Sequence, residues 1–265
     1  MYTSVVVIGG TQLAIKSLKV IQQMFPDLEL IFLDTSRYSK TECMEHLCSM
    51  EGCILVLSIM NQYIITPEVV YKPNLTIINV HHALLPGHRG RNAQSWALYH
   101  GESETGITWH FVDKGIDTGK IIRTFTIQIE ETDTSISLLK KQNDLILDSL
   151  KQLLPEFIAN SFCCVATEER GVFFHLNSEV PNNGELSLEW NGICISRFLR
   201  AMDFGPYKVW GMPYVVINEV KYYVKKYQID RGTYENNSIN VDDGVLTIKK
   251  DDYCFRLRIT EADKV

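Results

Sequence analysis

Apolar runs, turn residues and amphipathic segments alternate through the first half of the chain. Ser4 to Ile8 is an unbroken run rich in β-branched residues, the pattern of a parallel strand buried on both faces. Gly9, Gly10 and Thr11 then turn into a segment with apolar residues at Leu13, Ile15, Leu18, Ile21 and Met24. That spacing is close to the helical period, and Pro26 ends it. Leu28 to Leu33 reads as a second strand. A helix follows the polar stretch Tyr38 to Thr41 and runs to about Glu51, and Cys53 to Leu57 reads as a third strand. Strands alternating with helices predict an α/β fold with a doubly wound, mostly parallel sheet. Ser58 to Ile65 is an apolar-rich segment at the end of that sheet. It either receives a ligand or folds over the core, and Thr66 and Pro67 open a helix after it.

The pattern continues through Leu75, Ile77 and Ile78 into Asn79, Val80 and His81. Two further strands, Gly106 to Val112 and Lys120 to Ile127, flank a turn-rich segment from Asp113 to Gly119. From Asp133 a long amphipathic helix is expected, with Leu139, Ile146, Leu150 and Leu153 on its buried side. Beyond it the character changes to short strands and turns. Pro181 to Gly184 precedes a short helix from Ile193 to Met202, and β-like alternation runs from Tyr214 to Tyr227 and from Gly244 to Ile259. The expected organisation is a Rossmann-like domain over residues 1–180 and a small β-rich subdomain over residues 181–265.

Composition narrows the classes. The chain has 265 residues, 45% of them hydrophobic and 22% charged, enough to bury a sizeable core. A net charge of -6 argues against a nucleic-acid surface, because phosphate binding needs clustered Lys and Arg. The seven cysteines lack metal-ligand spacing and read as reduced thiols. No apolar stretch approaches the roughly 18 residues of a membrane span. The opening residues lack the basic and long apolar regions of a signal peptide, so a cytoplasmic protein without a membrane partner is expected.

The chemistry-bearing residues cluster between Asn79 and Ile122. On a strand the side chains of Asn79 and His81 share a face, and Asp117 lies in a turn that can return to them. An amide for a developing oxyanion, an imidazole for proton transfer and a carboxylate to hold it suit attack on a carbonyl. The same residues also suit a core histidine and an ordinary turn aspartate, and spacing alone leaves both readings open. No G-x-S-x-G is present, which favours direct transfer between bound substrates over a covalent enzyme intermediate. His81 and His82 point to opposite faces and no HExxH occurs, so no metal is expected. Gly9 and Gly10 form only a fragment of a dinucleotide fingerprint. The aromatic residues Trp96, Trp109, Phe204, Tyr207 and Trp210, expected to be exposed, fit either stacking on a base or sugar, or anchoring of a core.

Two segments, NVHHALLPGHRG and TGITWHFVDKGIDTGKII, closely resemble the N10-formyltetrahydrofolate-dependent formyltransferases, over roughly Val5 to Ile129. The resemblance places the catalytic residues on Asn79, His81 and Asp117. It implies an amine attacking the formyl carbon, with a tetrahedral intermediate whose oxyanion Asn79 and His81 hold. The pterin of the cosubstrate N10-formyltetrahydrofolate would meet Met60, Asn61 and Ile64 and the turn carrying Asp113 and Gly115. His82, Arg89, Trp96, Phe204 and Tyr207 would face the acceptor. Where the family usually has Pro-Ser after the histidine, this chain has His82 and Ala83. The stretch from Arg197 to Tyr207 resembles the region after the catalytic domain in sugar formyltransferases and in formylation domains of peptide synthetases. A nucleotide-linked amino sugar of polysaccharide biosynthesis is the expected acceptor, with a carrier-bound aminoacyl group or methionyl-tRNA as alternatives. A homodimer through the β-rich tail is also expected.

Overall fold

The first strand, β1 (Ser4–Gly9), is buried along its whole length, and its alternation divides the core in two. Val5 and Val7 point into one apolar cluster while Val6 and Ile8 point into another. Each such side chain contributes about 1.5–3 kcal/mol on burial. The structure, a computed structural model, describes residues 2–166, 171–207, 209–234 and 236–262.

The order continues α1 (Gln12–Met24), β2 (Glu29–Asp34), α2 (Lys40–Ser49), β3 (Ile54–Ser58), α3 (Pro67–Val70), β4 (Leu75–His81), β5 (Arg89–Gly90) and α4 (Ala93–His100). Next come β6 (Glu104–Phe111), β7 (Ile121–Gln128), α5 (Ser135–Ala159), β8 (Phe174–His175), a 3-10 turn at Pro181–Gly184, and α6 (Gly192–Ala201). Five strands follow: β9 (Tyr214–Ile217), β10 (Val220–Arg231), β11 (Ser238–Asp242), β12 (Val245–Lys250) and β13 (Tyr253–Glu261). Among the described residues no helix is long and apolar enough to cross a membrane.

The chain forms two compact units. The first comprises residues 1–93, 104–128 and 139–175, and the second comprises 94–103, 129–138 and 176–265. In the first, a six-stranded sheet has the order β2-β1-β3-β4-β6-β7. The strands from β1 to β4 pair in parallel and β6 and β7 add antiparallel, so the α/β class expected from the alternation is the observed one. Leu13 and Ile21 of α1 and Ile146, Leu150 and Phe157 of α5 fill the cluster on one face, and Cys43, Leu47 and Val69 of α2 and α3 fill the other. A capping box between Ser39 and Glu42 starts α2, a device worth about 1 kcal/mol.

The expected face of α5 needs one correction. Leu138 is fully buried, whereas Leu139 is only half-buried. Stepping back one turn at a time from Ile146, the buried row passes through Gln142 to Leu138. Gln142 is itself fully buried, and its amide reaches the carbonyls of His82 and Gly106. A polar residue on the core row obscured the periodicity.

The second unit is a five-stranded antiparallel sheet in the order β11-β12-β13-β10-β9, with Ile195, Phe198 and Leu199 of α6 packed on it. Asn191 caps α6 by accepting the amide of Cys194. The run expected from Tyr214 to Tyr227 is two strands, because Asn218 and Glu219 both take positive φ (48° and 66°) and reverse the chain between Ile217 and Val220. That is a two-residue hairpin loop whose second residue is not a usual turn former. Within this unit Ser95, Ser135 and the carbonyl of Ala201 form a hydrogen-bonded chain, and Arg200 donates to the carbonyl of Asp133.

Candidate active site

Asn79, His81, His110 and Asp117 all lie within the first unit. β4 ends at His81, on the side where parallel strands of an open α/β sheet leave their ligand crevice. Antiparallel pairing with β6 sets Asn79 opposite His110, and the Asn79 Nδ2 lies 3.1 Å from His110 Nε2. His110 Nδ1 donates to the carbonyl of Phe111 at 2.8 Å, which leaves Nε2 to accept from the Asn79 amide. The turn after β6 brings Asp117 back. Its Oδ2 lies 3.5 Å from His81 Nδ1 and its Oδ1 lies 3.5 Å from His110 Nε2. The Gly90 amide donates to Asp117 Oδ2 at 2.9 Å. Asn79, His81 and Asp117 thus come together as the spacing suggested. His110 joins them, and strand pairing between residues 31 apart is what a linear reading does not show.

The tautomer of His81 is fixed by its neighbour. Its Nε2–H donates to the carbonyl of His88 at 2.8 Å, so in the neutral ring Nδ1 carries the lone pair and faces Asp117. Burial pushes the proton affinity of His81 down, and Asp117 only partly offsets this. Burial alone would raise the Asp117 carboxyl, but positive charge on His81 or His110, when either ring is protonated, and the Gly90 amide hold it well below the usual carboxylate range. The state that satisfies both is a charged Asp117 beside a neutral His81. Asp117 and His88 adopt positive φ (52° and 48°). For non-glycine residues this conformation costs roughly 1–2 kcal/mol each, a strain typical of sites where geometry is imposed by the surroundings.

The loops around these groups are fastened from several sides. Thr108 accepts from the amide of Leu85 and donates to the carbonyl of Ala83. Asp113 accepts from the Gly115 amide at 3.0 Å and from the Thr118 hydroxyl at 2.5 Å, so its carboxylate is occupied within its own turn. At Gly115 a methyl group would lie 2.1 Å from the Thr118 Oγ1, so a side chain there would displace the hydroxyl that donates to Asp113. Asn61 likewise spends its side chain on the amide and carbonyl of Tyr63. Met60 is half-buried with a φ of 51°, and Ile64 is 61% exposed, an apolar side chain held in solvent. Gln62 and Tyr63 tie this loop to the carbonyl of Thr35, and Arg91 donates to the Gln62 carbonyl.

The remaining residues singled out in the sequence divide differently. His82 turns away from His81, donating Nε2–H to Asn143 Oδ1 of α5 at 2.9 Å, and burial pushes its pKa down to about 4. Arg89 is half-buried on β5, with its Nε buried and unpaired. Trp96, Phe204 and Tyr207 belong to the second unit. There Phe204 and Trp96 each meet the Trp210 ring edge-on, at 5.2 and 6.0 Å. Two residues expected to be exposed are not. Phe204 is 5% exposed, and Trp109 is fully buried with its indole N–H on Ser149 of α5. Tyr207 is exposed. Among the described residues no three His, Cys, Asp or Glu side chains converge as a metal site would require.

Residues 11–156 match the family described as Formyl transferase, and the chain belongs to that family. It is 34% identical over 130 residues to the GDP-perosamine N-formyltransferase of Brucella melitensis, an overlap of 49% of each chain. To the methionyl-tRNA formyltransferase of Listeria welshimeri it is 26% identical over 207 residues, 78% of this chain and 62% of that one. The chain thus spans about half the length of the first of these curated relatives and less than two thirds of the second. Its fold is that of the N-formyltransferase from Helicobacter canadensis, solved in complex with folinic acid and dTDP-3-aminofucose. The TM-score is 0.78 at 19% identity, over 98% of this chain and 100% of that one.

Proposed function

We propose that the protein transfers a formyl group from N10-formyltetrahydrofolate to the primary amine of a nucleotide-linked amino sugar. The observation that carries this reading is the cluster of Asn79, His81, His110 and Asp117 at the end of β4 in a chain of the formyl transferase family. The residues present fit the donor. A loop with Ile64 in solvent and Met60 half-buried offers an apolar surface for a flat heterocycle.

When bound, the folate supplies an activated formyl carbon. Asn79, steadied by His110, presents its remaining amide N–H to oxygen that gains negative charge as the amine attacks. His81 Nδ1, unprotonated, takes the proton that the amine must lose and returns it to the departing N10 nitrogen as the bond from that nitrogen to the formyl carbon breaks. Asp117 stabilises the imidazolium that results, and its own ionisation is secured by the Gly90 amide. Asp113 and Asn61 act here as loop ties rather than through their side chains. Arg89, half-buried on β5, is offered to a negative group of the acceptor.

The names of the relatives point to the acceptor. A GDP-linked amino sugar is named in one and a dTDP-linked amino sugar accompanies the other. The methionyl-tRNA relative keeps a second acceptor class in the test. The test incubates the protein with the folate donor and a panel of nucleotide-linked amino sugars, a carrier-bound aminoacyl group and methionyl-tRNA. Release of tetrahydrofolate and the mass of the product are followed. A formylated sugar is the expected product; product only from the carrier-bound group or the tRNA would overturn the sugar assignment.

A further inference from the structure

The carbonyl that selects the tautomer of His81 belongs to His88, a buried residue in a left-handed backbone conformation. What surrounds it is a short strap, Phe173 to His175, which pairs with Arg89 and Gly90 as β8 on β5. The His88 Nδ1 lies 2.9 Å from His175 Nε2, with the two rings stacked at 5.2 Å and Phe173 stacked on His88 at 5.4 Å. The backbone is gripped on either side, because the amide of Arg89 donates to the carbonyl of Phe173 and the amide of Arg91 donates to the carbonyl of His175. Between these two bonds lies Gly90, whose amide holds Asp117.

One strap therefore sets two contacts of the site from behind, the carbonyl on His81 and the amide on Asp117. We propose that His175 is a positioning residue: by holding the His88 ring and the register of β5, it keeps the His88 carbonyl on His81 Nε2 and leaves His81 Nδ1 free to act as base. It touches neither substrate. The inference rests on the formyl-transfer reading for its effect on turnover, but not for its effect on the His81 ring.

Long-range proton–nitrogen correlation spectra of the His81 imidazole in the full chain test it, with His81→Gln used to assign the signals. In the wild type Nε2 carries the proton. In His175→Ala the ring is expected to pass to a mixture of tautomers, with kcat falling about tenfold or more and KM for the folate donor changing less than twofold. His175→Gln, whose amide can replace Nε2 as partner of His88, is expected to recover both the tautomer and most of kcat. If the alanine variant does not fold, His175→Phe keeps a ring against His88 without the nitrogen and takes its place. An unchanged His81 tautomer in these variants overturns the proposal, as does failure of glutamine to rescue it. If the wild type transfers no formyl group, the functional reading fails while the spectra still decide the role of His175.

Discussion

His81 Nδ1 faces Asp117 Oδ2 across 3.5 Å, while the opposite nitrogen of the same ring is committed to the carbonyl of His88. An imidazole held in this way can accept a proton only on the side of the carboxylate. The value of Asp117 therefore lies in its charge. Asp117→Asn keeps the size of the side chain and can still accept the Gly90 amide, but it removes the anion that favours proton uptake by His81. Turnover is expected to fall by about 10²–10⁴, with the melting temperature within a few degrees of the wild type. Single-turnover formyl transfer checks it, and a variant that keeps a third of wild-type turnover would remove Asp117 from the chemistry.

A second consequence concerns acid stability and is carried by His82. Its folded pKa is pushed down to about 4 from an ordinary 6.5 by burial first, with the Asn143 hydrogen bond opposing and His81 reinforcing. The folded state thus binds fewer protons than the unfolded chain between these values. The stability concerned is present above pH 6.5, is lost as pH falls through the window, and changes no further below about 4. Each tenfold in proton affinity is worth about 1.4 kcal/mol, so His82 contributes a loss on the order of 3 kcal/mol. Burial lowers His81 as well, and it adds a loss of the same sign. Asp117 works in the other range, since its lowered carboxyl gives up stability only below the ordinary carboxylate value of 3.8. Urea unfolding at pH 7.5 and 4.5 should show a clearly smaller loss in His82→Gln than in the wild type. Equal losses in the two proteins would mean that His82 titrates normally.

Much of the framework was legible because it rests on local rules. The buried run of β1, the helical spacing of α1 and the shared face of Asn79 and His81 are properties of neighbours in sequence, and each appears where its pattern places it. What escaped depends on residues far apart. His110 gains its place only through antiparallel pairing of β6 with β4, and His175 only through a two-residue parallel bridge to β5. Neither bridge leaves a periodicity to read. Gln142 shows the converse failure, since a buried side chain whose NH2 group is held by two carbonyls occupies a core position that hydrophobic spacing counts as solvent-facing. Asn61 and the turn carrying Asp113, both expected to meet the pterin, have their polar side chains hydrogen-bonded within their own loops.

Gly90 distinguishes backbone strain from loss of the site. Its φ is +92°, and a methyl group there would lie 2.3 Å from the carbonyl oxygen of His175, a backbone atom that cannot swing aside. Gly211 also has positive φ, +78°, but no atom lies within 4 Å of its methyl position. Gly211→Ala isolates the conformational cost, roughly 1 kcal/mol. Gly90→Ala adds the overlap and is expected to cost about 3 kcal/mol in urea unfolding. Because the clash forces β5 away from β8, it should also draw the Gly90 amide off Asp117 and lower kcat well beyond any change in Gly211→Ala. If the two variants lost equal stability and kept equal turnover, the close approach of β5 to His175 would have no bearing on the site.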